Sequence, residues 1–276
     1  ALIEGMIDPA RLQRALDHGH LRALAVTGSG YGSGRHVTFY QSLNDYQFPS
    51  RLQREYVHTT IRTEHLLASS AIPFVFPAVP LAVRGGVEHY GDGSMRQISP
   101  ISPALHFGAE RVLVIGAGQL GQPGVLRQVD PTVYPSLAQI AGHAMATIFL
   151  DALASDIERL EKMNHVAEAL SPAQRRSLNL RVVDSLVIAP SERLDGIAAQ
   201  YLGCLPRPVR ALLEVLGAQR GNGAALASYL MFESPYTRVL IDLGFNDTMA
   251  RKDEVLEFLT ERREPSPSNA PRVVVV

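Results

Sequence analysis

The sequence feature that most constrains the fold is an uncharged, largely apolar stretch from Leu66 to Val83. Such a stretch is long enough to raise the question of a membrane-spanning helix. Proline lacks a backbone N–H and interrupts an α-helix, and Pro73, Pro77 and Pro80 recur here at short intervals. The stretch is therefore not predicted to be a transmembrane helix.

The last of these prolines lies in a segment that predicts a β-hairpin. Val79 to Arg84 and Val87 to Tyr90 have the composition of two short strands. Gly85-Gly86, between them, tolerates the positive φ angles of a tight turn. The chain is therefore expected to reverse direction at these two glycines.

Asp92 follows the second predicted strand and lies between Gly91 and Gly93. Glycines let the backbone bend sharply and place no Cβ atoms beside the carboxylate, so another group could approach it closely. A carboxylate in such a position is a candidate general base. The alternative interpretation is a turn aspartate that accepts a hydrogen bond from its own backbone, because Asp-Gly is a common turn pair.

Two segments around Asp92 resemble the patatin-like phospholipase family. They read ASSAIPFVFPAV from Ala68 and YGDGSMRQISPIS from Tyr90. Weaker similarity occurs in LRALAVTGSGYGSGRHVTFYQ, RVLVIGAG and RVVDSLVIAPSERL, in the order that the family has. In that family the aspartate of an Asp-Gly-Gly or Asp-Gly-Ala motif activates a serine nucleophile. The corresponding motif here is Asp92-Gly93-Ser94, with serine as its third residue.

The resemblance implies a three-layer, patatin-like α/β fold in which a central sheet is flanked by helices, with a helix-rich C-terminal portion. It also implies a lipid acyl hydrolase of phospholipase A, lysophospholipase or esterase type. Its Ser-Asp dyad would use Asp92 as the base, without a cofactor or metal. The glycine-rich oxyanion loop and the Gly-x-Ser-x-Gly nucleophile motif of the family do not occur in residues 1–276. The chain is therefore expected to be the later part of such a domain, with the nucleophile in a missing N-terminal segment, and to be inactive by itself.

Phe74 and Phe76 lie between Pro73 and Pro77, close in sequence to the candidate base. On an irregular segment beside an ester-cleaving site, the two rings could line an acyl-chain channel or touch a lipid surface. The alternative is that both rings belong to the apolar core, as most large apolar side chains do.

Charge and cysteine content exclude several classes of protein. The sequence has 26 Lys and Arg against 27 Asp and Glu, and its arginines are scattered, which does not indicate nucleic-acid binding. One cysteine, Cys204, excludes an internal disulfide and slightly favours a reducing compartment. The N-terminus at Ala1 shows neither the basic nor the apolar region of a signal peptide. A cytoplasmic location is predicted, with peripheral membrane contact as a further expectation.

Two other functions remain open on the sequence. Gly116, Gly118 and Gly121 follow a predicted strand, Arg111 to Ile115, with the spacing of a dinucleotide-binding motif. That motif needs a helix at its third glycine, but the following QPGVLRQVDPTVYP contains residues that break helices, so a loop is favoured. The chain could also be a binding or regulatory relative of the patatin-like family that has no nucleophile.

A second glycine-rich segment, GSGYGSGR, contains Ser29 and Ser33 and separates two predicted strands, Leu21 to Thr27 and His36 to Tyr40. A nucleophile turn or a phosphate-binding loop would have to be followed by a helix. The segment is therefore predicted to be a hairpin loop.

Apolar periodicity predicts the remaining elements. Helices are expected at 10–22, 50–71, 137–160, 208–216, 224–232, 237–243 and 253–263, with a strand at 181–189 and a linker-like tail at about 264–276. His58 and His65 share one face of the second helix, but no carboxylate or cysteine accompanies them at metal-ligand spacing, so no metal site is predicted. The whole chain is expected to form one α/β domain.

Overall fold

The computed structural model describes residues 8–48, 53–97, 99–118, 136–146, 152–216, 224–260 and 273–275. The strands are β1 Ala23–Gly30, β2 His36–Ser42, β3 Arg54–His58, β4 Val79–Val83, β5 Gly86–Asp92, β6 Arg111–Ile115, β7 Asp184–Ile188 and β8 Val273–Val275. The helices are α1 Pro9–Asp17, α2 Thr63–Ser69, α3 Ser102–His106, α4 Leu137–Ala146, α5 Ala152–Ala169, α6 Pro172–Ser177, α7 Leu194–Tyr201, α8 Arg207–Val215, α9 Ala224–Leu230, α10 Ser234–Ala250 and α11 Lys252–Thr260. Short 3-10 helices span Gly93–Arg96 and Leu202–Cys204. This element order confirms the α/β class and the helix-rich C-terminal portion.

The chain forms two compact units. Unit 1 consists of Ala1–Val112, Asp156–Asp184 and Arg263–Val276. Unit 2 consists of Leu113–Ser155 and Ser185–Arg262. The expectation that both belong to one domain stays a prediction.

Unit 1 is built on a mixed sheet with the strand order β3-β2-β1-β5-β4. The pairs β1-β2, β1-β5 and β4-β5 are antiparallel, and the pair β2-β3 is parallel. β8 lies within the expected linker-like tail and pairs in parallel with β1, placing Val273 opposite Ala23. β5 pairs with the other end of β1, where Asp92 lies opposite Gly28.

Side chains of β1 and β2 alternate between two apolar cores, one on each face of the sheet. On one face Val26 and Phe39 pack in a cluster with Ala68 of α2. On the other face Tyr40 packs with Phe107, which directly follows α3. The sheet therefore has apolar layers on both sides, as predicted for a three-layer α/β fold.

The predicted helix at 50–71 is wrong in its first part. Residues Arg54–His58 form β3, and the helix begins only at Thr63. Tyr56 and Val57 have high β-propensity, and β2 offers them backbone partners, with Phe39 opposite Val57. This pairing with β2 outweighs the helical spacing of the apolar residues.

The hairpin of β4 and β5 is confirmed, but its turn lies one residue earlier than predicted. Val83 pairs with Gly86, so the two turn residues are Arg84 and Gly85. Their φ angles are 50° and 80°, as in a type I′ turn, whose twist matches that of the flanking strands.

Unit 2 is mostly helical, and an apolar cluster holds α4, α7, α8 and α9 together with the start of α10. α4 and α9 approach so closely that a Cβ atom at Gly142 would lie 2.9 Å from Ala225 Cβ. The predicted helix end at residue 243 is wrong, because α10 continues to Ala250. For the predicted helix at 137–160, residues 147–151 lie outside the described part of the chain.

Among the described residues, no helix combines the length and the apolar character that crossing a bilayer requires.

Candidate functional site

Asp92 is the last residue of β5, and its position depends on the segment that precedes the hairpin. Its backbone N–H donates a hydrogen bond of 3.0 Å to the carbonyl of Ala71, which lies just after α2. This bond ties the strand end to the start of the proline-containing loop. The Asp92 residue is only 7% exposed.

The Asp92 carboxylate is engaged by the turn that follows it. Oδ1 accepts a 2.8 Å hydrogen bond from the backbone N–H of Ser94, and Asp92 thereby caps the 3-10 helix Gly93–Arg96. The Ser94 hydroxyl also lies beside the carboxylate and acts to lower the pKa of Asp92. The sequence-based alternative, an aspartate bonded to its own turn, therefore describes the local geometry correctly.

Burial raises the pKa of Asp92 above its ordinary value of 3.8, and the Ser94 amide and hydroxyl offset this only in part. A carboxylate with a raised pKa holds a transferred proton more readily than a solvated one does. The direction of this shift is the one that favours a general base, and the same carboxylate caps the turn.

The glycines on either side of Asp92 allow other residues to pack closely against the backbone, and they do not leave open space beside the carboxylate. A Cβ atom at Gly93 would collide with the side chain and carbonyl of Thr27, and one at Gly91 would lie 2.5 Å from the Tyr31 hydroxyl. The space beside the carboxylate, which the sequence predicts to be open, is thus occupied on these two sides.

His36 also borders this turn, although its sequence context does not predict a site residue. It starts β2 opposite Ser29, is 4% exposed, and lies beside the backbone of Gly93. Burial and the nearby Arg54 guanidinium lower the pKa of His36 from 6.5 to about 4, so the imidazole is neutral near pH 7. Its Nδ1 has no hydrogen-bond partner among the described residues. A histidine at the start of the apolar strand HVTFY is the only sequence signal for this position.

Phe74 and Phe76 are not core residues, so that interpretation is wrong. Phe74 has a φ angle of 67° and is fully exposed, and Phe76 is 43% exposed. The backbone N–H groups of Val75 and Phe76 both donate to the Ile72 carbonyl, which curls the loop and directs the Phe74 ring outward. A positive φ in a non-glycine residue is strained.

The glycine-rich segment between β1 and β2 is a hairpin loop, as predicted. Ser29 is buried within β1, and the Ser33 backbone N–H donates to Glu88 at 2.6 Å. For the dinucleotide-binding alternative, β6 ends at Ile115 as predicted, but Gly121 lies outside the described residues.

The predicted absence of a metal site concerns His58 and His65. The His58 Nε2 bonds the Ser42 carbonyl, and the His65 Nδ1 accepts from the Arg62 backbone N–H. Across the described ranges no group of three or more His, Cys, Asp or Glu side chains could hold a metal ion. Cys204 is exposed, and its thiol is free.

The fold and the site together define an α/β protein with a buried carboxylate of raised pKa at a strand end. Comparison of the chain with models of known protein families, with curated proteins and with solved structures found no match.

Proposed function

We propose that this chain supplies the base of a Ser-Asp dyad to a lipid acyl hydrolase, and that Asp92 is that base. The observation that carries the proposal is the buried Asp92 carboxylate with its raised pKa, held at the end of β5. Its backbone bond to Ala71 fixes it beside the exposed aromatic loop, where a lipid chain could lie.

The proposed reaction needs no cofactor. A serine from outside residues 1–276 attacks the ester carbonyl and gives its proton to Asp92. Asp92 passes that proton to the departing alcohol, which leaves an acyl-enzyme. Water then attacks the acyl group and gives a proton to Asp92. The fatty acid leaves, and the serine oxygen recovers the proton. Because no imidazole mediates these transfers, the serine must lie within hydrogen-bond distance of the carboxylate.

Phe74 and Phe76 are proposed to contact the acyl chains of the substrate or the lipid surface that presents it. Their exposure supports this role, since water-exposed aromatic rings gain free energy when they contact apolar chains. The protein is accordingly proposed to be cytoplasmic, with peripheral contact to a lipid surface through this loop.

A second candidate function is a catalytically inactive binding or regulatory protein of the same fold. The occupied surroundings of Asp92 favour this alternative, because Ser94 bonds the carboxylate while Thr27 and Tyr31 fill the space beside the neighbouring glycines. In this case the carboxylate would serve only to cap the turn.

Labelling with a fluorophosphonate probe distinguishes the two functions, because the probe reacts with activated serines. The protein that contains residues 1–276 should be labelled at one serine outside this range, and residues 1–276 alone should not be labelled. Labelling of a serine within the range, such as Ser94, would contradict the proposed nucleophile. A folded protein without any labelled serine would support the regulatory function.

A further inference from the structure

The loop between β1 and β2, residues 31–35, lies against the end of β5 that carries Asp92. The Tyr31 backbone N–H donates a hydrogen bond of 3.0 Å to the carbonyl of His89 on β5. Tyr31 is 49% exposed, whereas Asp92 is 7% exposed. The loop therefore brings a half-exposed aromatic ring to a strand end whose carboxylate is nearly buried.

The Tyr31 side chain contacts the chain on both sides of Asp92. A Cβ atom at Gly91 would lie 2.5 Å from the Tyr31 hydroxyl and 2.8 Å from two atoms of its ring. The same hydroxyl lies 3.8 Å from the sulfur of Met95, in the 3-10 helix that Asp92 caps. The ring thus reaches from the residue before Asp92 to the helix after it.

The other end of the loop meets the same 3-10 helix. A Cβ atom at Gly34 would lie 3.4 Å from a guanidinium nitrogen of Arg96. Gly34 has a φ of 64°, which glycine adopts without strain and which lets the loop turn back towards β2. Two positions of the loop, Tyr31 and Gly34, therefore contact the helix that Asp92 caps.

Glu88, on β5, fastens the loop. Its Oε1 accepts a hydrogen bond of 2.6 Å from the Ser33 backbone N–H, and its Oε2 accepts one of 3.1 Å from the Tyr90 hydroxyl. Burial acts to raise the pKa of Glu88, but hydrogen bonds from Ser33 and Tyr90 outweigh it and hold the pKa below its usual range. The carboxylate is therefore ionised near pH 7, and hydrogen bonds to an ionised acceptor are stronger than those to a neutral one.

We propose that Tyr31 is a positioning residue for Asp92. The loop, fastened by Glu88, holds the Tyr31 ring across the Asp92 turn and keeps water from that turn. The carboxylate is thereby held where it can accept the proton of a serine. The inference rests on the proposed function for the role of Asp92, whereas the contacts of Tyr31 do not depend on that function.

The Tyr31 ring can be displaced without a change to Tyr31 itself. The three heavy atoms nearest to a Cβ atom at Gly91 all belong to the Tyr31 side chain. That side chain is half-exposed, so its far end can move into solvent more readily than the backbone of a strand can shift. Gly91→Ala should therefore push the ring away from the Asp92 turn.

Carbon-13 NMR titration of the aspartate carboxyls, in the protein that contains residues 1–276, tests the inference. Asp92→Asn identifies the signal of Asp92. Because burial is the main cause of the raised pKa of Asp92, Tyr31→Ala should move its titration midpoint down towards the ordinary value of 3.8. Tyr31→Phe keeps the ring and should leave the midpoint close to that of the wild type. An unchanged midpoint in folded Tyr31→Ala would overturn the proposal.

Gly91→Ala should also lower the Asp92 midpoint, but it should cause no further change in the Tyr31→Ala background, where no ring is left to displace. The control is Gly86→Ala, on the same strand, whose Cβ would meet the Val83 carbonyl at an ordinary 3.8 Å. Thermal melting checks that each variant is folded. An equal shift in Gly86→Ala would show that any methyl group added to β5 disturbs the turn, and would overturn the proposal.

Hydrogen exchange tests whether Glu88 fastens the loop. Glu88→Ala should speed exchange of the Ser33 amide at least about 10-fold, because a hydrogen bond to an ionised group contributes at least that factor. Unchanged exchange of this amide in folded Glu88→Ala would show that Glu88 does not hold the loop, and would overturn that step of the proposal.

Hydrolysis by a longer protein that carries the nucleophile separates this inference from the proposed function. Tyr31→Ala should lower kcat about 10-fold, a part of the effect of losing the base, and move the acid limb of the pH profile to lower pH, with both restored in Tyr31→Phe. A shifted Asp92 titration without any hydrolysis would support the role of Tyr31 and contradict the proposed function. Hydrolysis that needs Asp92 but is unaffected by Tyr31→Ala would support the proposed function and overturn the role of Tyr31.

Discussion

At the scale of single residues, Asp92 is held in the fold at an electrostatic cost. In the unfolded chain its carboxyl ionises near pH 3.8, whereas burial keeps the proton on the folded carboxyl to a higher pH. Its contribution to stability is therefore full below pH 3.8 and is lost as the pH rises through the raised folded pKa. Asp92→Asn removes the charge and keeps an oxygen for the Ser94 amide.

The pH dependence of the Asp92 contribution predicts whether Asp92→Asn raises or lowers the stability of the fold. At pH 7 the Asp92→Asn variant should melt at a higher temperature than the wild type, and the difference should disappear below pH 3.8. Thermal unfolding followed by circular dichroism over this pH range measures it. A variant that melts earlier at pH 7 would show that the ionised carboxylate stabilises the turn.

For His36 we expect the opposite dependence of folding stability on pH. Above pH 6.5 the imidazole is neutral in both states, but between pH 6.5 and 4 the unfolded chain binds a proton that the folded chain does not. Stability should therefore decrease by about 3 kcal/mol as the pH falls through this window. Urea unfolding should show the decrease in the wild type and in the control His58→Gln, but not in His36→Gln. If the His36→Gln variant loses the same stability between pH 6.5 and 4, another group causes the loss.

The two residues also show what a sequence can reveal about a site. Asp92 could be predicted because Asp-Gly after an extended segment is a local pattern. His36 could not, because its proximity to Gly93 depends on the pairing of β1 with both β2 and β5. The space beside Gly91 could not be predicted either, since the Tyr31 ring that fills it comes from a distant loop.

At the scale of elements, the main differences between expectation and structure arise where two periodicities fit the same residues. Residues 54–58 fit a helix by apolar spacing, yet they pair with β2 as a strand. The hairpin turn lies at Arg84-Gly85, one residue earlier than expected. The register between β4 and β5 decides which residues form the turn. Two helices of unit 2, α8 and α9, were predicted within two residues of their ends.

The loop that carries Phe74 gives a prediction at this scale. Phe74→Ala should cost far less than the about 3 to 5 kcal/mol expected for a core phenylalanine such as Phe39. Phe74→Gly should be more stable than Phe74→Ala by about 1 kcal/mol, because glycine adopts a φ of 67° without strain. Urea unfolding of these variants beside Phe39→Ala measures both differences. A cost for Phe74→Ala equal to that of Phe39→Ala would assign the ring to the core.

The same loop should affect catalysis according to the length of the acyl chain. Under the proposed function, Phe74→Ala in a longer protein that carries the nucleophile should slow hydrolysis of long-chain nitrophenyl esters more than of short-chain ones, since each methylene brought into apolar contact contributes up to about 0.8 kcal/mol. Leu43→Ala, which truncates an exposed residue outside the loop, is the control and should not change this ratio. Equal losses at all chain lengths would exclude contact between Phe74 and the acyl chain.

At the scale of the whole molecule, the α/β class could be expected from the sequence, but the sheet topology could not. β8 pairs with β1 across almost the entire chain, with Ala23 opposite Val273, and no local pattern predicts such a contact. The end of β1 that pairs with β5 places Asp92 at its site. The proposed function therefore depends on whether this buried carboxylate accepts a proton from a serine.

The most direct test of the proposed function compares two buried aspartates in a longer protein that carries the nucleophile. Asp92 and Asp156 are equally buried, at 7% exposure, and Asp156 bonds Ser99 and Ile101 rather than the Asp92 turn. Asp92→Asn should lower kcat for a long-chain nitrophenyl ester by about 100-fold or more, as expected for loss of a general base, while Asp156→Asn keeps most of the activity. Near-normal turnover by folded Asp92→Asn would contradict the central claim and leave Asp92 as a structural residue of the turn.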